Sequence, residues 1–215
     1  NERILERFQR ERLPVLLGTQ MVAKGLNLER VTLVGVLDAD MSLYVDSYRA
    51  AETTFNMLTQ VVGRAGRGQR PGRALIQTMT PEHRVIVLAS QQDYGGFYEL
   101  EAGLREAKGC PPYRDLYTIT FSGPEEGQVL RGAALFRDSL LGCLEADPYR
   151  GLACQVLGPA PAAVAKINYH SRYRLTLRTP RSREVHRLLA YLLRQFAQDR
   201  ANRGISAFAD INGYD

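Results

Sequence analysis

Two folds in series are predicted: an α/β segment organised on a parallel sheet, then an α+β segment of order β-α-β-β-α-β. Three observations predict them. Val15-Leu16-Leu17-Gly18-Thr19 and Val31-Thr32-Leu33-Val34-Gly35-Val36-Leu37 are short apolar runs with little polar alternation, as expected of strands covered on both faces by helices. Cys110-Pro111-Pro112-Tyr113 is a stiff break, because consecutive prolines force extended backbone and end a helix. Beyond it, strand-like and helix-like patterns alternate in the split ferredoxin-like order.

Taken in order, Ile4, Leu5 and Phe8 recur at helical spacing among Glu and Arg, which predicts a surface helix leaning on a sheet and ending before Pro14. The two apolar runs follow, then a helix over Ala51 to Val62 and a third strand over Ala74 to Thr78 after the turn at Pro71-Gly72. Three strands are few for an α/β domain, so this one is expected to be truncated, with a bare sheet edge that attracts another chain or stays loose. Pro81-Glu82-His83 opens a helical stretch through Ala89, and Tyr94 to Lys108 continues as a second helix; both are expected to bridge two domains. His83 is expected to cap or pack rather than catalyse. After the proline break come strand Leu116 to Ser122, helix Glu125 to Leu144, strand Gln155 to Ala160, strand Arg172 to Thr179, helix Ser182 to Arg200 and strand Ser206 to Ile211. The expected boundaries are therefore 1–80, a helical connector over 81–112, and 113–215.

The totals exclude several classes. At 215 residues, 45% hydrophobic and 24% charged, the chain has a globular composition and room for two cores. The longest apolar run, Val31 to Leu37, is far too short to span a bilayer as a helix. Cys110, Cys143 and Cys154 are odd in number and share no metal-ligand spacing, which argues against a disulfide framework or a zinc site and for a reducing, cytoplasmic setting. A net charge of +5 favours an anionic partner only if the charge is well placed. The first residues are charged and helix-patterned without signal-peptide architecture, as in a chain begun mid-protein.

Placement points to phosphate. Gln60-Val61-Val62-Gly63-Arg64-Ala65-Gly66-Arg67 sets Gln60, Arg64 and Arg67 at spacings of four and three, so that three polar heads share a side of a short helical segment. Gly63 and Gly66 remove side chains beside the arginines. Arginine forks make bidentate, charge-assisted bonds to phosphate oxygens, and a glutamine can orient a water beside them. Gly18 to Gly25 fails as a P-loop, since Ala23 replaces the second glycine and Gly25 the hydroxyl residue. Thr19 and Lys24 instead offer a hydroxyl and an amine at a strand's carboxyl end, where open α/β sheets bind ligands. Asp38 and Asp40 close the next strand, and turn acids and functional acids explain them equally well.

In the second segment, basic and aromatic residues interleave: Lys166, Tyr169, His170, Arg172, Tyr173 and Arg174. Cations can neutralise phosphates while tyrosines stack on bases, yet a solvated hairpin with Tyr173 packed inward accounts for the composition equally. Arg178, Arg181, Arg183 and Arg187 extend the positive charge beside a helix start. The run makes a solvated face, or else Arg183 or Arg187 forms a pocket for an acidic tail.

GTQMVAKG, LVGVLDAD, Tyr48-Arg49-Ala50-Ala51-Glu52, QVVGRAGR and IQTMTPEH resemble the PriA family of replication-restart primosomal helicases, within superfamily 2, densely over residues 14 to 83 and more thinly beyond. The resemblance implies the C-terminal part of a RecA-like helicase lobe carrying motifs V and VI, then a DNA-binding terminal domain. It implies ATP with magnesium, held mainly by a first lobe, with Gln60, Gly63, Arg64 and Arg67 on this side of the cleft and Arg67 nearest to an arginine finger. Thr19, Lys24 and Gly25 would couple nucleotide state to the DNA backbone. Asn27 stands where many relatives in the wider superfamily carry an acid, so it inherits no role. Zinc would belong to a cysteine-rich module outside this sequence, which reads as the last part of a larger enzyme, inactive alone. Implied partners are forked or single-stranded DNA met by Lys166, Tyr169, Arg172 and Arg174, single-strand DNA-binding protein met by Arg183 or Arg187, and primosome and helicase-loader proteins. A non-catalytic nucleic-acid or protein-binding module is the rival class, and it has no use for the Gln60, Arg64, Arg67 spacing. A ribosomal-type RNA binder would explain only the second half.

Overall fold

Two short strands, β1 (Leu33–Val36) and β2 (Arg73–Ile76), pair in parallel with Leu33 opposite Arg73 and Val36 opposite Ile76. The computed structural model describes residues 2–19, 31–63 and 71–213. The chain divides into two compact units, residues 1–101 and 102–215.

The first unit contains α1 (Glu2–Arg10), the β1/β2 pair, α2 (Asp40–Leu43), α3 (Ala50–Val62), α4 (Arg84–Ser90) and the first turns of α5 (Tyr94–Lys108). Its core lies on one face of the sheet: Val36 and Ile76 pack against a cluster that includes Leu43, Phe55, Leu58, Ile86 and Phe97. The rings of Phe55 and Phe97 stack at 4.0 Å. Helix α4 is capped by His83, whose Nδ1 accepts the Val85 amide at 3.3 Å.

Two expectations fail here. Val15 to Thr19 forms no strand, and Val15 and Leu17 are 76% and 84% exposed. Apolar character does not make a strand without a ladder partner, and none of the described residues pairs with this run. Nor are β1 and β2 buried on both faces. Leu33 and Leu75 are 58% and 62% exposed, because the helices among the described residues cover only the other face.

The parallel strands are tied at their carboxyl ends by Asp40. Its carboxylate accepts the Met79 amide at 2.8 Å and the hydroxyls of Thr78 and Thr80 at 2.9 and 3.0 Å. The Met79 amide, followed by the two hydroxyls, holds the Asp40 carboxyl below the usual aspartate range. Asp40 is thus a tie between the loops after β1 and β2. Asp38 is an exposed turn residue with φ of 54°.

In the second unit, β3 (Asp115–Gly123), β4 (Gln155–Ile167), β5 (His170–Thr179) and β6 (Ser206–Ile211) form an antiparallel sheet of order β4-β5-β3-β6. Helices α6 (Glu126–Leu144) and α7 (Arg183–Gln198) cover one face, completing the split ferredoxin-like arrangement. Tyr117, Ile119, Phe121, Leu175 and Leu177 point into the core against Val129, Phe136 and Leu140 of α6 and Val185, Leu189 and Phe196 of α7. Phe121, Phe136 and Phe196 meet edge to face at 5.3 to 6.0 Å. The first and last strands are clamped by Asn212, whose Oδ1 accepts the Leu116 amide at 2.8 Å and whose Nδ2 donates to Asp115 at 3.0 Å.

The stretch expected to lie between the middle strands is itself strand. β4 and β5 run on to a two-residue turn at Asn168-Tyr169, where φ is 48° and 64°. That left-handed pair is the hairpin turn whose twist suits antiparallel strands. β4 is an edge strand, so Pro159 and Pro161 fit on it, and its pairing with β5 shifts register between Leu157 and Ala160. Gly158 occupies that irregularity with φ of 98°, and a Cβ there would come within 2.7 Å of the Arg174 carbonyl oxygen.

Two stability predictions follow from these contacts. Gly158→Ala should destabilise the second unit by about 1–3 kcal/mol, since neither φ nor the β5 backbone can yield cheaply; urea unfolding followed by an aromatic signal of that unit measures it. Asp40→Ala should lower the unfolding midpoint of the first unit. Because the folded carboxyl is the stronger acid, its contribution is complete above the ordinary aspartate pKa of about 3.9 and disappears as pH falls through the lowered folded value. Midpoints of the two proteins should therefore differ at neutral pH and converge in acid.

Candidate functional site

In an antiparallel ladder, directly paired residues share a face. Since Leu175 and Leu177 face the helices, Arg172, Arg174, Thr176 and Arg178 of β5 must face the other way. Their partners on β3 are Ser122, Thr120, Thr118 and Leu116, and next on β6 come Ser206, Phe208 and Asp210. The outer face of the sheet is therefore a row of guanidinium groups beside a row of hydroxyls, with Phe208, 46% exposed, at its far side. Arg172 and Arg174 stand about 7 Å apart along the strand. Thr120 is buried between Arg174 and Phe208 on the neighbouring strands.

The hairpin adds a tip to this face. Tyr169 is 90% exposed at the turn, and Lys166 is exposed opposite Ser171, on the side of the ladder away from Arg172. Arg172 Nη1 reaches the Val164 carbonyl at 3.4 Å, bracing the hairpin. Tyr173 turns inward, where its hydroxyl donates to Glu126 Oε1 at 2.9 Å. That bond, with partial burial and the carboxylate's charge, raises the phenol above its ordinary pKa. Arg172, Arg174 and Tyr169 thus lie on the outer face or its tip, Lys166 lies behind, and Tyr173 packs half-buried against the core. Arg178 was not singled out as a contact in the sequence, although its recurrence at even positions with Arg172 and Arg174 is the signal that places it in the row.

Arg183 and Arg187 occupy exposed positions one turn apart on α7. Ser182 caps the helix, its Oγ accepting the Val185 amide at 3.3 Å while its hydroxyl donates to Glu184 at 2.8 Å. The Ser182 bond, reinforced by the charges of Arg187 and Arg183, lowers the pKa of Glu184. These two arginines share their surroundings with an acid and lie on a different element from the arginine row.

In the first unit, Gln60 is exposed in the last turn of α3 and Gly63 caps that helix. A Cβ on Gly63 would sit 3.1 Å from the Thr59 carbonyl and 3.4 Å from the Gln92 amide, so glycine also serves close packing at this position. Thr19 is exposed in irregular backbone. Arg64, Arg67, Lys24, Gly25 and Asn27 lie outside the described residues.

Comparison with known proteins bears on both units. Residues 1–69 match the model of the helicase conserved C-terminal domain, and residues 106–213 match that of the primosomal protein N C-terminal domain. The chain is 36% identical over 214 residues to the replication restart protein PriA of Bacillus subtilis, which covers 100% of the chain and 26% of that relative. It is 40% identical over 180 residues to the namesake protein of Synechocystis, across 82% of the chain and 21% of the relative. With that of Treponema pallidum it shares 35% identity over 211 residues, 98% of the chain and 31% of the relative. The chain thus spans between 21% and 31% of these curated relatives. A parallel α/β unit followed by a ferredoxin-like unit, each under its own domain match, makes the chain a member of the PriA family.

Proposed function

We propose that the chain is the C-terminal portion of an ATP-driven DNA helicase that recognises stalled or abandoned replication forks and restarts replication through primosome assembly. In this reading residues 1–80 belong to the motor, 81–112 connect, and 113–215 hold DNA. The observation that carries the DNA half is the row of Arg172, Arg174 and Arg178 on the outer face of a four-stranded sheet. Such a sheet reads single strands through aromatic residues when its middle strands carry them. Here the middle strands carry arginine and threonine, which suits backbone contact and sequence tolerance, with Tyr169 and Phe208 left to stack.

For the motor half, the exposed amide of Gln60 at the end of α3 suits contact with a phosphate oxygen or its attacking water. Arg64 and Arg67 follow it at helical spacing and would neutralise charge developing on the terminal phosphate of ATP. Magnesium is left mainly to the opposing lobe, and zinc to a module outside these residues. Thr19, Lys24 and Gly25 transmit nucleotide state to the DNA backbone. Arg183 and Arg187 offer charge to the acidic tail of single-strand DNA-binding protein, and loader and primosome proteins complete the set of partners. The setting is the cytoplasm; none of the described helices is long and apolar enough to cross a membrane.

Binding of forked DNA tests the second unit. Arg172→Gln and Arg174→Gln should each weaken it uniformly across sequences and lower the slope of log affinity against log salt by about one, whereas Lys166→Gln, behind the arginine face, should leave the slope nearly unchanged. An unchanged slope in both arginine variants returns the hairpin to a solvated surface. Hydrolysis tests the first unit. This chain alone should turn over no ATP, while in the intact enzyme Arg67→Ala should cost about three to five orders of magnitude in DNA-stimulated hydrolysis and leave DNA binding in place. Steady turnover by the chain alone, or parallel loss of binding, would refute the assignment.

A further inference from the structure

Where the arginine row ends, at Arg178, the surface opens into a cavity of about 270 Å³. Its walls are Glu106, Lys108 and Gly109 at the end of α5, then Arg114, and finally Gln155 and Arg178, which face each other across β4 and β5. Two of the walls are braced by the fold. Arg114 Nη1 donates to the Ala153 carbonyl at 2.6 Å, and its stem crosses Gly109, where φ is 60° and a Cβ would come within 3.1 Å of Arg114 Cδ. Arg178 is steadied by Gln155 Oε1 at 3.3 Å, yet its buried Nε donates to no acceptor among the described residues.

The charge of the wall has a definite sign. Lys108, Arg114 and Arg178 stand against the single carboxylate of Glu106. The carboxyl end of α5 would add partial negative charge, but its turn is closed on itself: Gly109 donates to the Glu106 carbonyl at 3.1 Å and Cys110 to the Arg105 carbonyl at 2.8 Å. Two guanidinium forks and an ammonium around a polar cavity suit an oxyanion, carboxylate or phosphate, and it is the position of the cavity that selects between them. The cavity also continues the outer-face row, because Arg178 belongs to both.

We propose that this cavity is a phosphate pocket that takes one backbone phosphate of the nucleic-acid strand lying along β5, and so fixes where the strand leaves the sheet. The inference rests on the nucleic-acid reading of the outer face and goes beyond it by assigning Lys108, Arg114 and Arg178, with Glu106 as a counterweight.

The test is titration of the whole chain with a fluorescently labelled homothymidine oligonucleotide at several salt concentrations, using Lys108→Gln, Glu106→Gln and Arg172→Gln. Lys108→Gln should weaken binding about two- to fivefold and reduce the salt slope by about 0.7, the value for one contact to a single strand. Glu106→Gln should tighten binding about two- to fivefold, a gain that damage to the fold cannot produce. If Arg172→Gln weakens binding while both cavity variants leave it unchanged, the pocket is wrong and the sheet face stands. If all three are silent, both readings fall. If the cavity variants instead alter binding of an aspartate-rich peptide and leave the oligonucleotide untouched, the pocket serves a protein tail and the proposal is overturned.

Discussion

The register between β3 and β5 is the constraint on which the second unit depends. Ile119 lies opposite Leu175 and Phe121 opposite Tyr173, and every inward pair leaves an outward one beside it, Thr120 with Arg174 and Ser122 with Arg172. A slip by one residue would send arginines into the core and leucines to solvent, so burial of the apolar set fixes the outward set with the same certainty. The surface charge pattern is in this sense a by-product of core packing. Phe121, Phe136 and Phe196 lock the register from the helix side, since their edge-to-face contacts exist in only one alignment.

Much of this was legible in the sequence because it depends on period and punctuation. The β-α-β-β-α-β order follows from alternation broken by Gly123-Pro124 and Thr179-Pro180, and all six elements appear in place. What was not legible depends on partners distant in the chain. Val15 to Thr19 has the composition of a strand but lacks a ladder among the described residues, and composition cannot report that. Pro159 and Pro161 flank Ala160 and argue locally against a strand, yet an edge position tolerates them because one side of its backbone needs no partner.

The candidate sites divide in the same way. The alternate arginines of β5 were visible as a basic run, but their common face needed the pairing with β3. Tyr173 could stack or pack on composition alone, and Glu126, 47 residues earlier, decides the matter by accepting its hydroxyl. Asp40 shows the same dependence: either a turn acid or a ligand acid from sequence, it is resolved by Thr78, Met79 and Thr80 arriving on the neighbouring strand's exit loop. The basic cavity draws on residues near 106, 114, 155 and 178, and no local pattern could have joined them.

The Asn212 clamp has a mechanical consequence. It joins the beginning of the unit's first strand to the end of its last, and β3 and β6 are antiparallel, so these two ends of the sheet's chain lie side by side. Tension applied between them loads the ladder at its end, where the bonds lie across the strands, and opens it rung by rung like a zipper. Parallel strands pulled from opposite ends would share the load among all their bonds at once. The terminal strand is therefore the first element to peel under force, while the arginine-bearing strand, held between β4 and β3, keeps both of its neighbours until β6 has left.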